Sequence, residues 1–295
     1  MQMIEYKGKQ VTIMACSDCN ARCKHCYISY SGNLTGKQLV EICNNLKNKY
    51  KIILNGTELL IHNDYIEALK LSDQKRILTN GIIIYQDSSI LDMIKTTGIQ
   101  NIAMSYHFGS SVSDVPHHIV EKAIKKILNS GLNPELMCTI TTENYNRLDY
   151  ICKKVKELDV GTIRLFNCLN AGRCKCSDDM SLDDSQLREF FNELERVRSN
   201  YDINELSIKR NGTFGSSQNC KSFNCIAGID EVIITPDSNV YPCIYLARKG
   251  FEIGKYIDGK IYLDKLIEND GTKCLAREYY NCGKPINFTR TRNDK

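Results

Sequence analysis

No run in this sequence approaches the roughly 18 apolar residues that a bilayer-spanning helix requires. The first ten residues, MQMIEYKGKQ, also lack the apolar centre of a secretory signal. Neither a membrane span nor export is therefore expected, and the expected compartment is the reducing cytoplasm, where structural disulfides are rare. Lys and Arg are scattered, without a basic stripe or interleaved stacking aromatics, so the net charge of +4 implies no nucleic-acid partner. Internal repeats and low-complexity tracts are missing too, as is a segment before Cys16 long enough for a separate peptide-binding domain. What remains is an ordinary soluble composition, 42% hydrophobic and 25% charged. Its 295 residues suffice for one large domain with an appendage.

Cysteine is the exception. Fifteen cysteines, an odd number clustered in two regions, fit metal ligation better than a disulfide framework.

Short apolar runs at 11 to 14, 51 to 54, 75 to 78, 101 to 105, 135 to 140 and 162 to 166 predict six buried strands. Amphipathic stretches separate them. The clearest spans 115 to 130, with Ile119, Ala123, Ile127 and Leu128 on one face and Gly131 ending it. Six strand-helix repeats imply parallel strands with right-handed crossovers, hence an α/β fold: a partial, TIM-like barrel of six βα units. Loops leaving the C-terminal ends of such strands build the active site. After a polar helix over 181 to 199 the pattern changes to short Gly- and Cys-containing strands, with a hairpin around Pro236-Asp237-Ser238-Asn239. The expected division is a barrel over 1–204 and a small domain over 205–295.

Between Cys16 and Cys26 lie four thiols in eleven residues. A structural zinc site would use all four, whereas three thiolates on an iron–sulfur cluster leave one iron open to a cofactor or substrate. Cys19-x3-Cys23-x2-Cys26 after a first strand resembles the signature of the radical S-adenosylmethionine superfamily, with His25 where an aromatic residue is usual. The resemblance implies a 4Fe-4S cluster on Cys19, Cys23 and Cys26 that cleaves S-adenosylmethionine reductively. A zinc knuckle, or an electron carrier with Cys16 as fourth ligand, is the alternative. Cys16 itself fits a small buried hydrophobe at a strand end.

Further positions follow from the same resemblance. Asn55-Gly56-Thr57-Glu58 is similar to the family's Gly-Gly-Glu motif, which makes Glu58 a partner for the cofactor's ammonium or, alternatively, an acid near a helix N-cap. Thr79-Asn80-Gly81 matches a familiar turn. Ser105 and Thr139, with Thr141, stand where the family contacts ribose or adenine, or where hydroxyls satisfy loop backbone. Arg164 is expected to fork onto the cofactor carboxylate, and His25 to contact the cofactor. His107 fits a structural histidine near the mouth.

In the C-terminal part, Cys225 and Cys243 stand at the ends of the hairpin, which resembles the auxiliary-cluster extension called SPASM or its shorter relative, Twitch. Cys274 and Cys282 complete a four-thiolate set for an auxiliary 4Fe-4S cluster, with Cys220 as a competing ligand and a zinc staple as the competing metal. The resemblance implies hydrogen abstraction from a peptide or small natural-product intermediate, with an external one-electron reductant such as flavodoxin or ferredoxin. Cys174 and Cys176 follow the sixth strand, so either is a candidate hydrogen donor for an epimerisation, the alternative to oxidative C–H modification. A non-enzymatic two-cluster electron carrier is a third possibility.

Overall fold

All six apolar runs form strands. After a short N-terminal strand, β1 (Ile4–Glu5), they are β2 (Gln10–Met14), β3 (Lys51–Asn55), β4 (Arg76–Thr79), β5 (Asn101–Ser105), β6 (Asn133–Ile140) and β7 (Thr162–Asn167). Helices α1 (Gly36–Leu46), α2 (Ile66–Leu71), α3 (Ile82–Gln86), α4 (Ile90–Lys95), α5 (His117–Ser130) and α6 (Leu148–Glu157) connect them, and α7 (Asp184–Arg198) leads to β8 (Ser207–Arg210). The structure, a computed structural model, describes residues 3–108, 110–176, 180–214 and 224–291, the side chains at 175 and 176 excepted.

Strands β2 and β3 pair in parallel, and β4 to β8 form a five-stranded parallel sheet in sequence order. Between β3 and β4 side chains replace the backbone ladder: Asp73 Oδ2 accepts from Ile52 N at 2.7 Å, and Gln74 Oε1 from Leu54 N at 2.7 Å. The curled parallel arrangement is the expected partial barrel. It carries one strand more than the six expected, because β8 pairs in parallel with β7. The division anticipated at residue 205 falls directly before β8.

On the opposite edge β9 (Glu231–Ile234) pairs in parallel with β2, and β10 (Asn239–Tyr241) turns back against it as the expected hairpin. Ser238 takes the turn at φ +62°, where glycine is usual. Strands β11 (Gly254–Ile257) and β12 (Lys260–Leu263) carry this sheet on to β1, while β13 (Lys265–Ile267) pairs with β14 (Phe288–Arg290). Helix α8 (Leu275–Tyr280) lies between those two in sequence.

Alternation along the strands sorts the side chains. Ile102, Met104, Leu136, Cys138, Ile140, Ile163 and Leu165 are buried in the main core. Ser105, Thr139 and Arg164 have the opposite parity and belong to the inner face. Helix α5 buries Val120, Ala123, Ile124 and Ile127, so its core stripe is rotated by one position from the expected face, with Ile119 and Leu128 on its flanks. Six apolar residues on adjacent positions made both registers acceptable. Gly131 closes α5 at φ +81°, as expected. Among the described residues no helix is long and apolar enough to cross a membrane.

Candidate active site

The loop that leaves the C-terminal end of β2 carries Cys19, Cys23 and Cys26, all partly exposed. Its start is fixed by Cys16, which is fully buried and packs beside Gly56: a Cβ there would come within 2.7 Å of the Cys16 sulfur. Burial pushes the Cys16 thiol up to about 11, so it stays protonated. Cys16 is thus the small buried hydrophobe that its place at a strand end suggested.

Two of the three loop sulfurs receive backbone N–H groups. Ala21 N donates to Cys19 Sγ at 3.4 Å, and Asp114 N to Cys23 Sγ at 3.4 Å. Asn80 Nδ2 lies 3.7 Å from Cys19 Sγ and donates to Asn20 Oδ1 at 2.7 Å. Hydrogen bonds of this kind stabilise thiolate charge and tune iron–sulfur clusters. Among the described residues no three His, Cys, Asp or Glu side chains are gathered tightly enough to count as a formed metal site. The donor chemistry nevertheless fits a cluster of three thiolates.

Glu58 takes the second of the two roles expected of it, an acid near a helix N-cap, and not the open position of an ammonium partner. It is completely buried and caps a short 3-10 helix, accepting from Leu60 N at 3.4 Å, while its other oxygen accepts from Asn80 N at 2.7 Å. Burial pushes this carboxyl up to about 7, against the N–H of Asn80, the Thr79 hydroxyl and the N–H of Leu60. The residue that reaches Cys19 is Asn80. Only the turn-like Thr79-Asn80-Gly81 motif pointed to it.

Arg164 is corrected. It is the third residue of β7, and its Nε donates to Glu135 Oε2 at 2.8 Å, an oxygen also held by Arg76 at 3.0 Å. The two guanidiniums keep Glu135 below the usual carboxylate range despite its burial. This triad lies toward the strand starts, away from the loop-bearing ends.

Ser105 and Thr139, the last and next-to-last residues of β5 and β6, lie on the inner face with half-buried hydroxyls that have no hydrogen-bond partner among the described residues. Thr141, by contrast, is fully buried and bonded to Ser110 Oγ, on the loop after β5, at 3.3 Å. His25 meets the carbonyl of Val112 through Nδ1 at 3.2 Å, and its ring stands edge-on to His107 at 4.3 Å. His107 Nδ1 accepts from Thr139 N at 3.0 Å, which puts the ring proton on Nε2, a buried atom with no partner among the described residues.

Cys243 lies within electrostatic range of Cys274 and Cys225, and burial raises its thiol far above the ordinary value. Cys274 stands at the N-cap position of α8, and burial raises its thiol to about 11. Cys282 is exposed beyond α8 and is not drawn into the group, while Cys220 lies outside the described residues. Tyr27, next to Cys26, packs on Tyr245 at 4.6 Å, and burial among Cys26 and Cys243 raises its hydroxyl. The two cysteine regions thus meet across a tyrosine pair.

Cys174 is buried on a 3-10 helix, Gly172–Cys176, with its sulfur 3.0 Å from that of Cys168. The side chain of Cys176 lies outside the described residues.

No protein-family model matches the chain. It is 22% identical over 289 residues to a probable GTP 3',8-cyclase of Sulfurisphaera tokodaii, covering 89% of this chain and 87% of that protein. It is 25% identical over 173 residues to a pre-heme d1 synthase of Dinoroseobacter shibae, covering 52% of this chain and 42% of that one. Among solved structures it superposes on SuiB of Streptococcus suis bound to the precursor peptide SuiA with a TM-score of 0.67 at 15% identity, over 94% of this chain and 65% of SuiB. On anSMEcpe with bound AdoMet the TM-score is 0.66 at 17% identity, over 83% and 77%. The fold is the one shared by SuiB and anSMEcpe. The chain spans just under two thirds of SuiB, and it presents Cys19, Cys23 and Cys26 on the loop that leaves the C-terminal end of β2.

Proposed function

We propose that the chain is a radical S-adenosylmethionine enzyme in which Cys19, Cys23 and Cys26 hold a 4Fe-4S cluster. Cys225, Cys243 and Cys274, with Cys282 or Cys220, hold an auxiliary 4Fe-4S cluster in a Twitch-like C-terminal region. When bound, the first cluster supplies the electron that splits S-adenosylmethionine into methionine and a 5′-deoxyadenosyl radical able to abstract an unactivated hydrogen. The observation that carries this reading is the set of N–H donors aimed at Cys19 and Cys23 on a loop at the C-terminal end of β2. Ser105 and Thr139 offer hydroxyls to the cofactor from the inner face, and His25 offers its ring beside them. Glu58 acts at one remove, by holding Asn80 against the Cys19 loop.

The substrate is a peptide or a small natural-product intermediate. Support comes from SuiB, solved with a precursor peptide, and from anSMEcpe, solved with AdoMet and a peptide. The reaction is an oxidative C–H modification fed by a one-electron donor of the flavodoxin or ferredoxin type. A second reading, epimerisation with a cysteine as hydrogen donor, is favoured by the loop carrying Cys174, because Arg173 is hydrogen-bonded to the carbonyls of Cys23 and Cys26. Cys176 is the other candidate donor.

The test is anaerobic reconstitution followed by reduction in the presence of S-adenosylmethionine. Iron with matching sulfide, and methionine and 5′-deoxyadenosine in equal amounts, are expected. Zinc without sulfide would point to a structural staple, and iron without 5′-deoxyadenosine to an electron carrier; either would overturn the proposal.

A further inference from the structure

Beyond the three thiols of the signature and those of the C-terminal region, the structure brings together one more pair. Cys168 follows β7 directly, and the backbone then folds back on itself: Ala171 N donates to Leu169 O at 2.7 Å, and Cys174 N to Ala171 O at 3.1 Å. Gly172 takes φ +58° in this turn, and a Cβ there would collide with the carbonyl of Cys26 and the backbone of Tyr27. The turn leaves the sulfurs of Cys168 and Cys174 3.0 Å apart. That is about 1 Å longer than a disulfide bond of ~2.05 Å, a gap that small side-chain rotations close.

The pair sits in a small apolar enclosure with Val112 and Met180, and each cysteine is no more than 2% exposed. A dithiol held at this separation has a high effective concentration of one sulfur at the other, which favours the intramolecular disulfide over mixed disulfides with small thiols.

The pair also sits between the two cysteine regions. Arg173 donates from its backbone N to Cys26 O at 2.8 Å and from Nε to Cys23 O at 2.9 Å. On the other side the carbonyl of Cys168 accepts from Asn281 Nδ2 at 3.0 Å, and Asn170 N donates to Asn281 Oδ1 at 3.2 Å, next to Cys282.

We infer that Cys168 and Cys174 form a reversible dithiol–disulfide couple, oxidised by low-molecular-weight disulfides such as oxidised glutathione. One protein thiolate, reached when the turn at Gly172 opens locally, attacks the small disulfide, forming a mixed disulfide and releasing one small thiol. The second protein thiolate then displaces the other small thiol and closes the Cys168–Cys174 bond. Two electrons and two protons leave the protein pair, and both end on the two released small thiols. The couple does not depend on the proposed reaction. In its oxidised form, though, Cys174 carries no S–H and cannot give a hydrogen atom to a substrate radical.

The test is to equilibrate the iron-loaded protein anaerobically with mixtures of reduced and oxidised glutathione, trap thiols with an alkylating agent, and map peptides by mass. Expected is a peptide linkage of 168 to 174 lighter by two hydrogens, with loss of both alkyl adducts. It should return to two alkylated thiols on reduction, and be lost in Cys168→Ser and in Cys174→Ser. Two alkylated thiols at 168 and 174 in the most oxidising mixture would overturn the inference. So would Cys174 linked to Cys176 or to glutathione instead. The wild-type map decides even if a variant fails to fold.

Discussion

The two cysteine regions differ in what surrounds their thiols. The N-terminal thiols lie on an exposed loop at a barrel mouth, partly open, with side chains such as Asn80 and backbone N–H groups brought to them from other strands. In the C-terminal region Cys274 is buried, and Cys243, partly exposed like the loop thiols, packs against the same tyrosine-rich cluster, which includes Tyr27, Tyr245, Tyr279 and Tyr280. An open site suits a cluster that must admit a cofactor and face a substrate. An aromatic-walled site suits one that only passes or stores an electron, since an apolar wall alters redox potential and limits solvent access. Tyr27 and Tyr245 form the seam between them.

The largest effect that sharpens this contrast is the loss of one site without the other. Replacing Cys19, Cys23 and Cys26 together by Ala should leave about four irons per chain, with matching sulfide, in the C-terminal region. A folded triple variant without iron would mean that the regions are not independent.

Next in size is Glu58. A buried carboxyl whose folded value is raised from 4.5 to about 7 favours its protonated form, so its contribution to stability is complete below about 4.5 and is lost as pH rises through 7. At about 1.4 kcal/mol per unit this amounts to something on the order of 3 kcal/mol. In cluster-free protein, urea midpoints at pH 5 and pH 8 should differ more for wild type than for Glu58→Gln. Equal differences would show that the carboxyl is not held neutral.

Arg164→Ala should have a smaller effect, costing about 1 to 3 kcal/mol by removing one charged hydrogen bond from Glu135. It should leave the KM for S-adenosylmethionine unchanged, because the triad lies at the strand starts. A raised KM with unchanged stability would return Arg164 to the cofactor. The smallest effect is expected from Cys282: if Cys220 is the fourth ligand, Cys282→Ala retains the auxiliary iron, whereas Cys220→Ala loses it.

The contrast also marks how far the sequence could be read. Strands and the cysteine loop were legible because apolar runs and the spacing of Cys19, Cys23 and Cys26 are local signals. Strand β8 was not, since Ser207-Ile208-Lys209-Arg210 is short and mostly polar, and only pairing with β7 makes it a strand. Glu58 was left open between two roles because a carboxylate after a strand looks the same whether it faces a ligand or caps a helix; burial decides, and burial is a tertiary property. Arg164 was misread for a related reason, since its partner Glu135 belongs to a neighbouring strand. Cys168 passed unnoticed because its relation to Cys174 depends on the turn at Gly172.

The central claim is that only the open site performs cleavage, and comparing Cys26→Ala with Cys243→Ala for 5′-deoxyadenosine formation under anaerobic reduction tests it most directly. Cys26→Ala should abolish 5′-deoxyadenosine, while Cys243→Ala should still form it although the auxiliary iron is lost. Formation by Cys26→Ala at the wild-type rate, or its complete loss in a folded Cys243→Ala that retains the first cluster, would contradict the account.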